Sequence, residues 1–260
     1  MNLAAIEWGI LLPAFAAGLT VLATHVPLGR EVLARGIIFI DLAVAQTAAL
    51  GLVLAGSLGL ETGGWWAQGF ALGAALAAAG LLAWTERRAG RLQEALIGVL
   101  FVLTASIALL LLAARPQAGE HLQELLAGQI LWAGWRQIGG ATLVAAGVLL
   151  LWLGLPGWRQ RLFYPLFALS ITISVQLAGV YLVFASLILP ALAGHRLPPR
   201  TVLTWGYATG IAAYALGLIL SAALDLPAGP LIVVCLASCA LLAAMAVHRY
   251  RFAIQTGDAQ

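Results

Sequence analysis

FYPLFALSITISVQLAGVYLVFASLILPALA, residues 163–193, is a mostly apolar stretch of 31 residues. A helix that crosses a membrane needs about 20 such residues, so this stretch is too long for one ordinary span and too short for two. Gly179 lies near its middle. The stretch therefore predicts a helical hairpin that is broken near Gly179 and that enters and leaves the membrane on one side.

The composition of the whole chain indicates that lipid is its solvent. Of its 260 residues, 63% are hydrophobic and 9% are charged, and the mean hydropathy is +1.01. Soluble domains carry about 25% charged residues to cover their surface. We therefore expect an integral membrane protein that contacts lipid and no nucleic acid.

The sequence lacks the features of a catalytic domain. Its polar stretches are short, so no folded aqueous domain is expected. All 13 basic residues are Arg, and a phosphate-binding P-loop needs Lys. We expect a non-enzymatic chain that binds no cofactor itself, with a single transmembrane domain over 1–260 and a short cytoplasmic tail at 249–260.

Seven further stretches have the length and apolarity of membrane helices. Together with the hairpin they predict an all-α fold, a polytopic transmembrane helix bundle of about eight to nine membrane segments. The seven predicted spans are 6–26, 32–56, 65–84, 94–114, 138–155, 201–223 and 229–247.

The arginines predict the orientation of the chain. Cytoplasmic loops of membrane proteins carry an excess of basic residues. If the hairpin enters and leaves on one side, 11 of the 13 Arg share that side, and the other two are Arg115 and Arg136. We expect a multi-pass protein of the bacterial inner membrane, with its N-terminus outside and its C-terminus in the cytoplasm.

The second span holds the main cluster of polar residues. Its segment IFIDLAVAQTAALG contains Asp41, Gln46 and Thr47. Polar groups inside membranes are costly and usually mark a pathway. At 100° per residue, Asp41 is about 140° from Gln46 and about 120° from Thr47, so the three cannot all face one ion. They are predicted to line a substrate pathway, and the identity of any metal ligands stays unknown.

The histidines and Glu94 are predicted to have structural roles. Glu94 opens the fourth span, where an acid offsets the helix dipole, and a transport role is the alternative. The four histidines are expected at span ends or in loops, and they are His25, His121, His195 and His248.

Five blocks, in order along nearly the whole chain, resemble the zinc and manganese type of ABC transporter permeases. They are PLGREVLARGIIFIDLAVAQTAALG (27–51), EALIGVLFVLTASIALLLL (94–112), HLQELLAGQILWAG (121–134), LAGVYLVFASLILPALAG (177–194) and LDLPAGPLIVV (224–234).

This resemblance implies the membrane-spanning permease subunit of an ABC importer, for a divalent metal ion or a metal complex. It also implies a homodimer, an extracytoplasmic substrate-binding protein, and a separate ABC ATPase subunit that binds the ATP. Gly179 and Pro190 of the fourth block then correspond to a broken half-helix that acts as a gate, because irregular backbone at membrane depth must lie against protein or a cavity.

The second span departs from the family pattern D-x-x-x-H-A. Gln46 stands where the family has His, and Leu42 stands where it has Asp. An amide oxygen is a harder and weaker ligand for transition metals than an imidazole. The departure leaves it open whether zinc or manganese is the cargo.

The loop before the hairpin also departs from the family, which has an extended coupling helix there. Only PGWRQRL, 156–162, is present, and a two-turn helix needs roughly eight residues and its flanking turns. Trp158, Arg159 and Arg161 are either a reduced contact with the ATPase or ordinary interfacial anchors. The short loop favours an alternative function, that of a family-derived membrane protein uncoupled from an ATPase and acting as a facilitator or scaffold.

Reporter fusions test the predicted topology. Fusions in the loops at Arg87 and Arg159 should report a cytoplasmic location, and fusions at Glu61 and Asp225 an external one, because of the arginine distribution. A cytoplasmic signal at Asp225 would show that the hairpin is wrongly assigned.

Overall fold

The computed structural model describes residues 7–61, 64–113, 130–195 and 197–257. This part of the chain forms nine α-helices and no strand, which confirms the predicted all-α bundle. The helices are α1 (Trp8–Arg35), α2 (Ile40–Ser57), α3 (Trp65–Ala89), α4 (Gln93–Ala113), α5 (Trp135–Gly154), α6 (Arg159–Ala178), α7 (Val180–Ala193), α8 (Pro199–Leu224) and α9 (Ala228–Gly257).

Seven stretches of the described chain are long and apolar enough to cross a membrane. One of them, Trp65–Leu112, holds both α3 and α4, which are separated by the 3-10 turn Gly90–Leu92. The shorter α7 is apolar as well. The count agrees with the predicted eight to nine membrane segments.

The boundary between the first two predicted spans is wrong. The prediction ended the first span at Val26, but α1 continues through Pro27 to Arg35, and α2 begins only at Ile40. One ion pair within α1 and one to α3 hold this extension in place. The Arg35 side chain bonds to Glu31 at 2.9 Å and to Glu86 at 3.4 Å.

The C-terminal tail is also more regular than predicted. Helix α9 runs to Gly257, so most of the segment 249–260 continues the last helix. Residues 258–260 lie outside the described part of the chain. The same is true of 121–129 within the resembling block 121–134, of Arg115 and of Arg196.

The broken hairpin is present at the predicted residue. Helix α6 ends at Ala178 and α7 starts at Val180, with Gly179 between them at φ 77° and ψ 163°. This left-handed φ suits Gly, which has no Cβ. Pro190 lies inside α7 and does not interrupt it.

Contacts with α1 show that the two arms of the hairpin run in opposite directions. The Arg35 guanidinium lies 4.2 Å from the centre of the Phe163 ring, and Ser170 donates to Thr24 at 2.7 Å, so α6 is antiparallel to α1. Gly29 lies against the Leu187 carbonyl and the Ala191 side chain. Both ends of the hairpin therefore lie beside the last turns of α1.

The bundle consequently has two distinct ends. At the Arg35 end, Arg35, Glu86 and Phe163 meet. At the Asp225 end, Glu7 and Asp225 line one cavity of about 540 Å³. The loops predicted to be cytoplasmic share the Arg35 end, and which end faces the cytoplasm stays a prediction.

Tryptophans mark both ends of the bundle, as in membrane proteins whose aromatic belts lie at the two interfaces. All nine lie on or next to the terminal turns of helices, and most are exposed. Trp8, Trp65, Trp66, Trp132 and Trp135 lie toward the Asp225 end, and Trp84, Trp152, Trp158 and Trp205 toward the Arg35 end.

Close helix packing uses some of the predicted small residues and not others. In α8, a Cβ on Gly206 or Gly210 would lie within 3 Å of Val26 or Leu22 of α1. The glycines of α3 face open space instead, and that helix packs through buried alanines such as Ala71 and Ala75. Glycine therefore sets the distance between α1, α7 and α8.

Replacing Gly29 by Ala should destabilise the protein, because the added Cβ would collide with the Leu187 carbonyl. Main chain cannot move aside without shifting α7, and overpacking of this kind costs about 1–3 kcal/mol. Thermal unfolding in detergent measures the effect.

The matched control is Gly69→Ala in α3, where no atom lies within 4 Å of the new Cβ. This variant should unfold at the wild-type temperature or above it, because Ala favours a helix more than Gly does. Equal unfolding temperatures for the two variants would contradict the packing argument.

Candidate functional site

A groove of about 800 Å³ runs between α2, α4, α7 and α9. Its walls are mainly apolar, with Leu42 from α2, Phe101 from α4, Phe184 from α7 and Val233 from α9. Among the described residues, only Gln46 and Tyr181 bring a polar side chain to its lining. A mostly apolar cavity with few polar groups is the usual form of a small-molecule site.

Of the three polar residues predicted on α2, the structure places one in this groove. Gln46 lines it together with Leu42, one turn earlier on the same helix face. Thr47 is buried elsewhere and donates its hydroxyl to the Ala43 carbonyl at 2.7 Å. Asp41 is 1% exposed and does not line the groove. The three side chains are therefore dispersed, as their angles around the helix require.

Glu94 interacts with the start of α2, whereas the sequence predicted that it would stabilise the start of its own helix. It lies in the first turn of α4, but its Oε1 accepts a hydrogen bond at 3.2 Å from the backbone N–H of Phe39, the residue before α2. The Phe39 ring is parallel to that of Phe184, with ring centres 6.1 Å apart and planes inclined by 4°. Glu94 thus fixes the link between α1 and α2 beside the groove wall.

His25 is not at a span end, contrary to the prediction. It is fully buried within α1, and its Nδ1 lies 3.2 Å from the hydroxyl of Thr24. The prediction failed because α1 continues past Pro27, so a residue expected at the interface lies inside the bundle.

Thr24 belongs to a hydroxyl seam between α1, α5 and α6 that the sequence did not reveal. Thr24 accepts a bond from Ser170, and Thr20 lies 2.9 Å from Thr142. Between these pairs is a cavity of about 10 Å³, about the space that one water needs. Isolated hydroxyls in apolar helices give no pattern from which their pairing could be predicted.

The remaining histidines do not assemble a metal site. His195 is exposed in the loop after α7, as predicted, with its Nδ1 2.9 Å from the Leu192 carbonyl. His121 and the side chain of His248 lie outside the described part. Within that part, no three His, Cys, Asp or Glu residues gather where they could share an ion.

The predicted loop 156–162 is shorter in the structure. Pro156–Trp158 forms one 3-10 turn, and α6 starts at Arg159. Arg159 donates from Nε to the Trp152 carbonyl at 2.9 Å, which ties α6 to the end of α5. Arg161 lies over the ring of Trp158, which is 54% exposed. Trp158 and Arg161 are therefore more available to a partner than Arg159.

Two solved structures share this fold. PsaBC from Streptococcus pneumoniae in complex with Fab matches with a TM-score of 0.76, covering 94% of this chain and 95% of that chain at 20% identity. A transporter of the metal-chelate ABC type, in an inward-facing conformation, matches with a TM-score of 0.62, covering 86% of this chain and 82% of that chain at 18% identity. At these identities the likeness establishes the fold alone.

The sequence model of the ABC 3 transport family matches residues 7–159 and 157–247. These ranges take in nearly all of the chain, including the helices that form the groove, and they confirm the resemblance found in the sequence blocks. The chain belongs to the ABC 3 transport family and is a multi-pass membrane permease subunit.

Proposed function

We propose that this permease carries a divalent metal ion of the zinc or manganese class, or a metal complex, into the cell. The groove carries this proposal, because it brings the amide of Gln46 and the phenol of Tyr181 to a cavity that is large enough for a cargo. The likeness to a transporter described as being of the metal-chelate type supports metal as the cargo. Of the predicted pathway residues Asp41, Gln46 and Thr47, Gln46 is the one that lines this groove.

The working unit is proposed to be a homodimer. In a single chain the groove is open along one side, and the neighbouring surfaces of α4 and α9 expose apolar residues such as Val102 and Val234. A second copy related by a two-fold axis would present the same surface and enclose the space. Enclosure matters because a cargo must be separated from lipid as it crosses.

The hairpin is the proposed gate. Gly179 joins α6 to α7, and α7 supplies Phe184 and Ile188 to the groove wall, so rotation at Gly179 would change the shape of the groove. Pro190 removes one backbone hydrogen bond near the other end of α7. The arm between these residues is the element expected to move.

Two partners complete the proposed importer. An extracytoplasmic binding protein would deliver the cargo at the Asp225 end, and an ABC ATPase, which binds the ATP, would dock at the Arg35 end. This arrangement follows the predicted location and orientation. The protein would lie in a bacterial inner membrane, with its N-terminus outside and its C-terminus in the cytoplasm.

Replacing Gln46 by Leu should lower metal uptake about tenfold, the equivalent of about 1.4 kcal/mol, because Leu removes the amide that would bind the metal ion or its complex. Accumulation of Mn²⁺ and Zn²⁺ by cells that depend on this permease measures the effect. The control is Gln68→Leu in α3, a residue that does not line the groove. Unchanged uptake by Gln46→Leu in a working assay would remove Gln46 from the pathway.

The short link between α5 and α6 supports the alternative function, that of a facilitator or scaffold uncoupled from an ATPase. The link is a single 3-10 turn, Pro156–Trp158, and so offers few residues for contact with a partner. The two functions differ in whether an ATPase binds at Trp158, Arg159 and Arg161.

Replacing Arg159 and Arg161 by Glu should weaken co-purification with the ATPase, because reversing charges at an interface costs affinity and association rate. Arg161→Glu alone should have most of the effect, since Arg159 is already bonded to Trp152. Pull-down from membranes measures binding.

The control for this experiment is Arg136→Glu, since Arg136 begins α5 at the opposite end of the bundle. A reporter fusion must confirm that each variant keeps its orientation, because the arginines also set topology. Full ATPase binding and ATP-driven uptake by a correctly oriented double variant would show that the contact lies elsewhere.

A further inference from the structure

Two carboxylates from different helices meet at the Arg35 end of the groove. Glu94 of α4 bonds to the N–H of Phe39, and Asp41 lies two residues farther along, in the first turn of α2. Because Glu94 Oε1 lies 3.2 Å from the Phe39 nitrogen, the Glu94 carboxylate lies beside the turn that carries Asp41. This pair was not recognised in the sequence, because Asp41 and Glu94 are 53 positions apart.

Each carboxylate has one oxygen that helix capping does not explain. Glu94 uses Oε1 for the Phe39 N–H, and Asp41 accepts bonds from the backbone of its own turn. Asp41 Oδ1 and Glu94 Oε2 are both buried and lack a hydrogen-bond partner among the described residues. A buried carboxylate oxygen without a partner is costly, and two of them near each other are more so.

Among the residues that the structure describes, basic side chains do not supply the missing partners. In the described part of the chain, the ion pairs within 4 Å join Arg35 to Glu31 and to Glu86. Asp41 and Glu94 take part in neither. Two buried carboxylates that lack a counter-charge among the described residues require a cation or a shared proton.

We propose that Asp41 and Glu94 together hold a hard divalent cation beside the groove, a proposal that rests on the proposed metal transport. The site adjoins the groove through Leu42, the residue after Asp41, and through the stack of Phe39 on Phe184. A cation leaving the groove toward the Arg35 end would meet these oxygens next. Glu94 thereby acquires the transport role that the sequence had left as the alternative to a structural one.

The donor atoms define the class of ion. Carboxylate oxygens suit Mn²⁺, Mg²⁺ and Ca²⁺, whereas Zn²⁺ prefers imidazole and thiolate. The amide oxygen of Gln46, in place of the family's His, is a donor of the same hard kind. Two protein oxygens leave most of the coordination shell to water, so binding is weak, with a Kd of about 0.1 to 1 mM. Weak binding suits a transport pathway, since an ion must also leave.

Titration of the full-length protein with Mn²⁺ alone tests this site. The protein is placed in nanodiscs of zwitterionic lipid, and free Mn²⁺ is followed by its six-line electron paramagnetic resonance signal. The wild type should bind one Mn²⁺ per chain in the expected range. Asp41→Asn and Glu94→Gln should each bind at least about tenfold more weakly.

Glu94→Gln keeps an oxygen for the Phe39 N–H, so it should fold even if Asp41→Asn does not. The matched control is Asp225→Asn, which removes a carboxylate from an exposed residue at the opposite end. Asparagine also tolerates the left-handed conformation of this residue, φ 54°. The control should bind Mn²⁺ as the wild type does.

Other outcomes overturn the proposal. Absence of Mn²⁺ binding by the wild type would mean that the two carboxylates share a proton. Equal binding by Glu94→Gln and the wild type would place the ion elsewhere. If Mn²⁺ binds here but uptake does not depend on an ATPase, the proposed import function fails and this site stands. If ATP-driven uptake occurs without Mn²⁺ binding, the site fails alone.

Discussion

The contact of α1 with both arms of the hairpin is the constraint on which the rest of the structure depends. Irregular backbone at membrane depth is tolerated only against protein or a cavity. Here the Gly179 N–H bonds to Val175 at 2.8 Å, and its carbonyl accepts from Val183 at 3.1 Å, so the break leaves its own groups satisfied. Gly29 then lets the main chain of α7 lie directly on α1. A larger residue in place of Gly29 would prevent α7 from packing at this position beside α6.

The same contact determines where the groove lies. Helix α7 turns one side toward α1 and α8, where Ser186 and Tyr214 share a hydrogen bond of 2.8 Å. Its other side supplies Phe184 and Ile188 to the groove. A change in the angle of α7 would therefore alter packing and groove together, as the proposed gate requires. The hydroxyl seam joins α6 to α1 through Ser170 and Thr24, and α1 to α5 through Thr20 and Thr142.

Length and glycine position were enough to predict the hairpin, because the hydrocarbon thickness limits the length of a span. The end of α1 could not be predicted, since Pro27 and Arg30 are typical of a helix end. That helix persists because Arg35 pairs with Glu86 and packs on Phe163, contacts from distant parts of the chain. The position of Gln46 in a groove likewise depends on α4, α7 and α9. The sequence identified Gln46 as a polar residue within an apolar span and as the counterpart of a family histidine, and neither signal revealed its surroundings.

The shortened link between α5 and α6 alters how force could pass from an ATPase to the groove. A long coupling loop can absorb movement, whereas here a single 3-10 turn leads directly into α6. Arg159 also binds the Trp152 carbonyl, so α5 and α6 are joined at this point. Helix α6 has 20 residues, a length of about 30 Å, and Gly179 follows its last turn. If the ATPase docks at Trp158 and Arg161 as proposed, a small displacement there acts through α6 on the hinge itself. Under this proposal the absence of a coupling helix in the loop is compatible with coupling, because α6 leads directly from the docking point to Gly179.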